Sequence, residues 1–229
     1  VDALDLRRTV ERCGDCEALV VRSQGYRASY AQLWDATGRL ARALMASGIE
    51  ARDRVGIWAP NRYEWVVTQY ATARMGAILV NINPAYRSAE LRYALRQSGV
   101  KLLLLAQQFR GTDYLALLDE VRSDCPDLKE SIVLEHEWEA LHSRCALVSE
   151  TALAEREGRL QFDDPINIQY TSGTTGFPKG ATLSHHNLVN NGFFIGETLG
   201  YSRRDRVGIP VPFYHCFGMV LGNLACTSH

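Results

Sequence analysis

The chain has 229 residues, of which 46% are hydrophobic and 22% charged, and its formal net charge is −1. This is the balance of a globular protein, and it excludes an intrinsically disordered chain and argues against a general nucleic-acid binder, which carries a basic face. No apolar run approaches the roughly 18 residues that a helical membrane span requires; the run at 100–106 is short and contains Lys101.

Six cysteines (Cys13, Cys16, Cys125, Cys145, Cys216 and Cys226) are too sparse for a disulfide scaffold in a chain of this size, so a reducing compartment is expected. Cys13-Gly-Asp-Cys16 has CxxC spacing but lacks the second pair a zinc site needs. It also lies near the start of the chain rather than between a strand and a helix, so the spacing is read as coincidental. The chain opens on Val1 and closes on His229 just past the apolar segment 219–226, so both ends read as cut. A lost targeting peptide therefore stays open.

From residue 18 onward strand-like and helix-like segments alternate. Residues 18–21 and 26–29, joined through Ser23-Gln24-Gly25, predict a hairpin, and Ser29 with Gln32 predicts a capping box. The next helix puts Leu33, Thr37, Leu40 and Leu44 on one stripe and stops at Gly48. A buried strand follows at 55–59. Asn61 with Glu64 predicts a looser cap for a helix running to Gly76. Strands at 77–82, 100–106 and 132–135 then alternate with helices at 88–98 and 112–123. Residues 136–163 carry scattered charges without a firm period and read as a surface excursion. Repeated strand–helix alternation predicts an α/β fold of mostly parallel strands with helices on both faces. A soft boundary at Asp163-Asp164-Pro165 divides an N-terminal α/β subdomain, 1–163, from the start of a second, 164–229.

Residues 170–180 read Tyr-Thr-Ser-Gly-Thr-Thr-Gly-Phe-Pro-Lys-Gly. Gly173, Gly176 and Gly180 let the backbone turn tightly and bring N–H groups close to an anion. Thr171, Ser172, Thr174 and Thr175 supply rotatable donors, and Lys179 adds a positive charge on a long arm. The flanks, an alternating segment at 166–170 and a second at 181–183 before a helix N-cap at Ser184, mount this loop between two strands. It is not a Walker loop: counted with Gly173 as the first position, the sixth is Pro178 rather than glycine, and Gly180 rather than Ser or Thr follows Lys179. A kinase-like NTPase is disfavoured accordingly.

The run resembles the phosphate-loop signature of the acyl-adenylate-forming (AMP-binding) enzyme superfamily, and other stretches match the same pattern in the same order. Ser29-Tyr30-Ala31-Gln32-Leu33 is similar to the family's TY-x-x-L helix entry, and Arg54-Val55-Gly56-Ile57 with Asn61 to its strand–helix junction. Gly76-Ala77 with Asn83-Pro84 is similar to the "G-A … NP" segment, and Pro212-Phe213-Tyr214-His215-Cys216-Phe217-Gly218 to the P-x-x-H-x-x-G motif. The wording at 164–169 and at Gly180-Ala-Thr-Leu-Ser-His is most like the medium-chain fatty acyl-CoA ligases.

The resemblance implies the N-terminal part of the large domain of an ATP-dependent acid–thiol ligase. A carboxylate attacks the α-phosphorus of ATP and expels pyrophosphate, and a thiol then attacks the acyl-adenylate and releases AMP. Both nucleophiles are substrates, so catalysis consists of alignment and charge neutralisation, and the chain has neither a G-x-S-x-G elbow nor an HExxH. The implied ATP-binding residues are Thr171, Ser172, Gly173, Thr174, Thr175, Gly176, Phe177, Pro178 and Lys179. Lys179 offsets phosphate charge and His215 orients the carboxylate, as the two catalytic residues. His185 and His186 read as packing or surface residues. Phe193, Phe194, Ile195 and Leu199 have the spacing of a buried helix face, so core packing is expected ahead of an acyl-pocket lining.

ATP, Mg2+ and coenzyme A are the implied cosubstrates, with a carrier-protein thiol as the alternative acceptor. No metal ligand is expected in these 229 residues. The implied adenine, ribose and magnesium residues, and a C-terminal small domain with its lysine, fall beyond His229. This piece alone is therefore expected to be inactive, and a non-catalytic nucleotide-binding or scaffolding fragment is the competing reading. The expected compartment is the cytoplasm, or the mitochondrial matrix if a targeting peptide was lost.

Overall fold

The computed structural model describes residues 2–171 and 178–229, with side chains from residue 6 onward. Helix α1 (Asp2–Cys13) leads into an antiparallel hairpin of β1 (Glu17–Val21) and β2 (Tyr26–Ser29). Helix α2 (Tyr30–Ala46) starts at a reciprocal cap: Gln32 N–H donates to Ser29 Oγ at 3.2 Å, and Ser29 N–H donates to Gln32 Oε1 at 2.8 Å. Its buried face includes Leu33, Thr37, Leu40 and Leu44. Strand β3 (Arg54–Trp58), helix α3 (Tyr63–Met75), strand β4 (Ile78–Asn81), helix α4 (Ser88–Ser98) and strand β5 (Val100–Leu105) follow. Gly76 ends α3 at φ 75°, where its N–H closes on the carbonyls of Ala73 and Thr72. That left-handed turn is one glycine makes without a Cβ penalty.

The chain continues through β6 (Gln108–Phe109), β7 (Thr112–Asp113), α5 (Tyr114–Arg122), β8 (Glu130–Val133), α6 (Leu134–Ser143) and α7 (Glu150–Glu157). After it come β9 (Pro165–Thr171), β10 (Lys179–Ser184), α8 (His185–Leu199), a π-helix over Phe217–Leu224, and α9 (Ala225–Ser228).

The main sheet has six strands in the order β10-β9-β4-β3-β5-β8. All its pairs are parallel except β10 on β9. Near-continuous apolar runs such as Ile78-Leu-Val and Leu102–Leu105 belong to strands covered on both faces, and these residues are buried. Side-chain alternation along β9 shows the two layers. Tyr170 points to α4, its hydroxyl donating to the Ala94 carbonyl at 3.0 Å. Asn167 and Gln169, on the opposite face, reach Asn81 and Met219. Strands from before and after residue 164 thus share one sheet.

Several expectations are corrected. Residues 136–163 are not a featureless excursion. They hold most of α6, a 3₁₀ turn and α7, and they bury Trp138, Leu141 and Leu153. The i, i+4, i+7 spacing of Leu134, Trp138 and Leu141 was diluted by Glu135, Glu137 and Glu139 on the outer face. The strand expected at 132–135 ends at Val133, and Leu134 already begins α6. The helix expected from Thr112 starts at Tyr114, because Asp113 Oδ1 accepts from the N–H groups of Leu115 and Ala116 and caps it there. Asn61 does not cap α3, whose first residue is preceded by Arg62. Helix α1 had no counterpart among the expected elements.

Candidate functional site

The antiparallel pairing of β9 and β10 sets Lys179 opposite Thr171. Thr171 Oγ1 donates to the Lys179 carbonyl at 3.4 Å, closing the base of the loop that joins the two strands. Both side chains are exposed, and Pro178 beside them is half-buried. Lys179 makes no ion pair among the described residues, so its ammonium is available to an anion. Six of the loop residues named from sequence, Ser172, Gly173, Thr174, Thr175, Gly176 and Phe177, lie outside the described residues. Behind the hairpin, Ser184 and Asn187 form the expected cap of α8, with Asn187 N–H donating to Ser184 Oγ at 3.3 Å and Ser184 N–H to Asn187 Oδ1 at 3.0 Å.

His215 sits in a tight turn entering the π-helix. Its N–H donates to the Pro212 carbonyl at 3.2 Å, and its own carbonyl accepts from the N–H groups of Gly218 and Met219 at 3.0 and 3.1 Å. The ring is exposed, so His215 is not a packed core residue. The Phe217 N–H donates to Nδ1 at 3.2 Å. An accepting Nδ1 puts the proton of the neutral ring on Nε2, which is the atom left to donate to a carboxylate.

The turn is held by amide side chains. Asn61 Nδ2 donates to the Val211 carbonyl and Asn61 Oδ1 accepts from Phe213 N–H, each at 2.8 Å. Gly218 is obligatory here: a Cβ would lie 2.5 Å from the Pro212 oxygen and 2.9 Å from the Val211 oxygen. The final glycine of the P-x-x-H-x-x-G spacing therefore lets the helix start against its own entry segment.

His185 is fully buried and His186 exposed, the packing and surface roles expected of them. Phe193, Phe194 and Leu199 are not core residues: they are 42%, 63% and 60% exposed. The face of α8 that packs on the π-helix is its glycine side, where a Cβ on Gly192 would meet Leu224 Cβ at 2.7 Å. Sequence reading took the bulky residues to be the buried ones. At Gly192 the absence of a side chain lets the two helices approach closely.

A cavity of about 680 Å³ lies between the β1–β2 hairpin and the segment 201–213, lined by residues including Tyr30, Arg62, Arg203, Phe213 and Cys226. None of Thr171, Pro178, Lys179 and His215 lines it, so this cavity and these candidate residues are separate. Burial raises the Cys226 thiol to about 11, which makes it inert as a nucleophile at neutral pH. No group of three or more His, Cys, Asp or Glu side chains converges for a metal among the described residues. Cys13 and Cys16 are free thiols.

The family model of AMP-binding enzymes matches residues 6–229. The chain belongs to the AMP-binding enzyme family. It is 40% identical over 240 residues to the mitochondrial medium-chain acyl-CoA ligase ACSF2 of Danio rerio, covering 96% of this chain and 40% of that protein. It is 39% identical to the putative acyl-CoA synthetase YngI of Bacillus subtilis, covering 97% of this chain and 44% of that one. Among solved structures, the N-terminal domain of FACL13 from Mycobacterium tuberculosis superposes with a TM-score of 0.85 at 26% identity, over 99% of this chain and 55% of that one. A long-chain-fatty-acid-CoA ligase from Archaeoglobus fulgidus gives a TM-score of 0.83 at 25% identity, over 99% of this chain and 45% of that chain. The chain thus spans less than half the length of these curated relatives. Its fold is that of the N-terminal domain of adenylate-forming enzymes, α/β with a mostly parallel sheet.

Sequence reading singled out none of the buried amides near the candidate residues: Asn81, Asn167 and Gln169 on the β4 and β9 strands, and Gln69 and Asn223 beside the π-helix. Their signal was present as amides inside otherwise apolar strands, in Ile78-Leu-Val-Asn81 and Ile166-Asn-Ile-Gln169.

Proposed function

We propose that this chain supplies the triphosphate-gripping loop and the acid-orienting histidine of an ATP-dependent carboxylic acid–thiol ligase that works through an acyl-adenylate. The observation that carries the reading is the β9–β10 hairpin, which presents exposed Thr171 and Lys179 at the base of the family's phosphate loop. Gln169 on the same strand lies 3.9 Å from the Met219 sulfur, in the turn that bears His215.

Lys179 would lie against the β- and γ-phosphates with Thr171 and the loop hydroxyls of Ser172, Thr174 and Thr175. Backbone N–H groups at Gly173 and Gly176 would add donors, and Phe177 and Pro178 would restrain the loop. His215 Nε2–H would hold one carboxylate oxygen while the other attacks the α-phosphorus; the bond to pyrophosphate breaks and pyrophosphate leaves. In the second half-reaction the thiol sulfur attacks the acyl carbon and AMP leaves with the bonding pair. Magnesium would arrive with the ATP.

A medium-chain fatty acid is the proposed substrate, because two curated relatives at 40% and 38% identity bear that description. Coenzyme A is the proposed thiol, ahead of a carrier protein. The cytoplasm and, by analogy with the mitochondrial relatives, the mitochondrial matrix are the proposed compartments. Among the described residues no helix is long and apolar enough to cross a membrane. The division at 163/164 is kept as a proposal about subdomains of the whole protein.

Hydrogen bonds to charged groups contribute roughly 1.5–3 kcal/mol each, so Lys179→Ala is expected to slow acid-dependent ATP–pyrophosphate exchange by about 10- to 100-fold. The KM for the acid should change little. Exchange by the protein that carries this chain, measured with octanoate, checks both. Unchanged exchange in the variant would remove Lys179 from the site, and ATP binding without any exchange would favour the non-catalytic fragment.

A further inference from the structure

Buried amides are costly unless paired, and a sheet interior offers few partners. Asn81 and Asn167 are each 1% exposed, and Gln169 is 7% exposed. Their hydrogen bonds run in one direction. Asn167 Nδ2, on β9, donates to the Leu79 carbonyl at 3.0 Å and to Asn81 Oδ1 at 2.9 Å. Asn81 Nδ2 donates in turn to the Tyr214 carbonyl at 3.3 Å and lies 3.2 Å from the Met219 sulfur. Tyr214 precedes His215, and the Met219 N–H donates to the His215 carbonyl. A second pair reaches the same turn: Asn223 Nδ2 donates to Gln69 Oε1 at 3.0 Å, and Gln69 Nε2 donates to the Met219 carbonyl at 3.3 Å.

We propose that Asn81 and Asn167 are positioning residues that lock the His215 turn to the strand entering the phosphate loop, fixing where the acid meets the nucleotide. This rests on the function proposed above. Asn167 stands four residues before Thr171 on the same face of β9, so the strand that delivers the loop also sets the register of the histidine turn. Pure packing does not account for the relay. Asn167 Oδ1 is buried with no partner among the described residues, a cost that a leucine of similar volume would avoid. The relay ends on the backbone of residue 214 and the side chain of Met219, on either side of the turn that presents the imidazole. Because it acts on the backbone, it governs where Nε2 points rather than its acidity.

The test uses Asn81→Leu and Asn167→Leu, which keep the volume and remove the hydrogen bonds, beside Leu153→Ala, a control in a distant helix. All are compared at temperatures equally far below their own unfolding midpoints. Two readouts are taken. Amide hydrogen exchange at Gly218 and Met219, whose N–H groups close on His215, is expected to rise about tenfold in the asparagine variants and not in the control, equivalent to about 1.4 kcal/mol of lost closure. The kcat of acid-dependent ATP–pyrophosphate exchange is expected to fall about tenfold with the KM for ATP unchanged, a pattern that general destabilisation does not produce. Equal protection at 218–219 in the asparagine variants and the control overturns the lock, and a loosened turn with unchanged kcat overturns its role in positioning. A wild-type protein without exchange activity refutes the functional reading, while the hydrogen-exchange comparison still decides the lock. Either variant alone suffices for that comparison.

Discussion

Replacing Gly218 with alanine adds one methyl group at the point where the π-helix leaves its entry segment. That carbon would sit 2.5 Å from the Pro212 oxygen, 2.8 Å from the Pro212 carbonyl carbon and 2.9 Å from the Val211 oxygen. All three are backbone atoms, so no side chain can swing away. Gly218 is not among the positive-φ glycines, so the strain is steric rather than conformational. Retreat of the entry segment is opposed by Asn61, whose amide holds Val211 and Phe213 with two bonds of 2.8 Å. Overpacking costs about 1–3 kcal/mol and a stretched hydrogen bond about 1 kcal/mol, which gives an expected loss of about 2–4 kcal/mol.

Urea denaturation at constant m-value measures that loss. Gly208→Ala, with nothing within 4 Å of its added carbon, should stay within about 0.5 kcal/mol of the parent. Adding Asn61→Ala frees the entry segment, so the double variant should lose less than the sum of the two single losses. A Gly218→Ala protein as stable as the parent, or strict additivity with Asn61→Ala, would refute the steric argument.

Three further outcomes follow from the packing. Burial, reinforced by Arg39, pulls the His142 imidazole down from 6.5 to about 4. Folding therefore favours the neutral ring, and its contribution is full above about pH 6.5 and is lost as pH falls toward 4; about 2 kcal/mol should vanish between about pH 7 and pH 5 in urea titrations, and His142→Phe should remove that slope. Glu64 is buried and accepts from Arg62 Nε at 2.9 Å, Arg62 Nη2 at 2.7 Å and Gln24 Nε2 at 2.9 Å. Glu64→Ala leaves a half-paired guanidinium beside Glu135, and chemical denaturation should register a loss of about 3 kcal/mol. Leu153→Ala should cost about 2–5 kcal/mol by the same assay, whereas a residue in a surface excursion would cost under about 0.5 kcal/mol.

The elements that sequence reading placed well are those whose signals are local. The Ser29–Gln32 cap, the stop at Gly76 and the cap at Ser184 each depend on residues within about one helical turn, and the stripe of α2 on residues within one helix. At Asn61 and in the 136–163 region, distant partners decided where expectation failed. Asn61 looks like a cap three residues before Glu64, but the segment 211–213, about 150 residues away, takes its amide. Helices α6 and α7 looked like loops because charged outer faces hide few apolar anchors. Those anchors count only once α2 and α3 are in place to cover them. Trp34 holds the Arg74 guanidinium 3.5 Å from its ring, and that arginine pairs with Glu157 at the end of α7.

A phosphate-loop role for residues 171–179 and an acid-orienting role for His215 could be proposed from the chain because glycine, hydroxyl, lysine and imidazole groups carry their chemistry with them wherever they are placed. Their order along the sequence was enough to suggest which reaction they serve. What joins them was not readable in the same way. Asparagine and glutamine inside strands look like flaws in an apolar pattern until the strands pair, and only then does each amide find its partner. Hydrogen bonds are short and directional, so partners more than a hundred residues apart are chosen by the packed sheet and not by spacing along the chain.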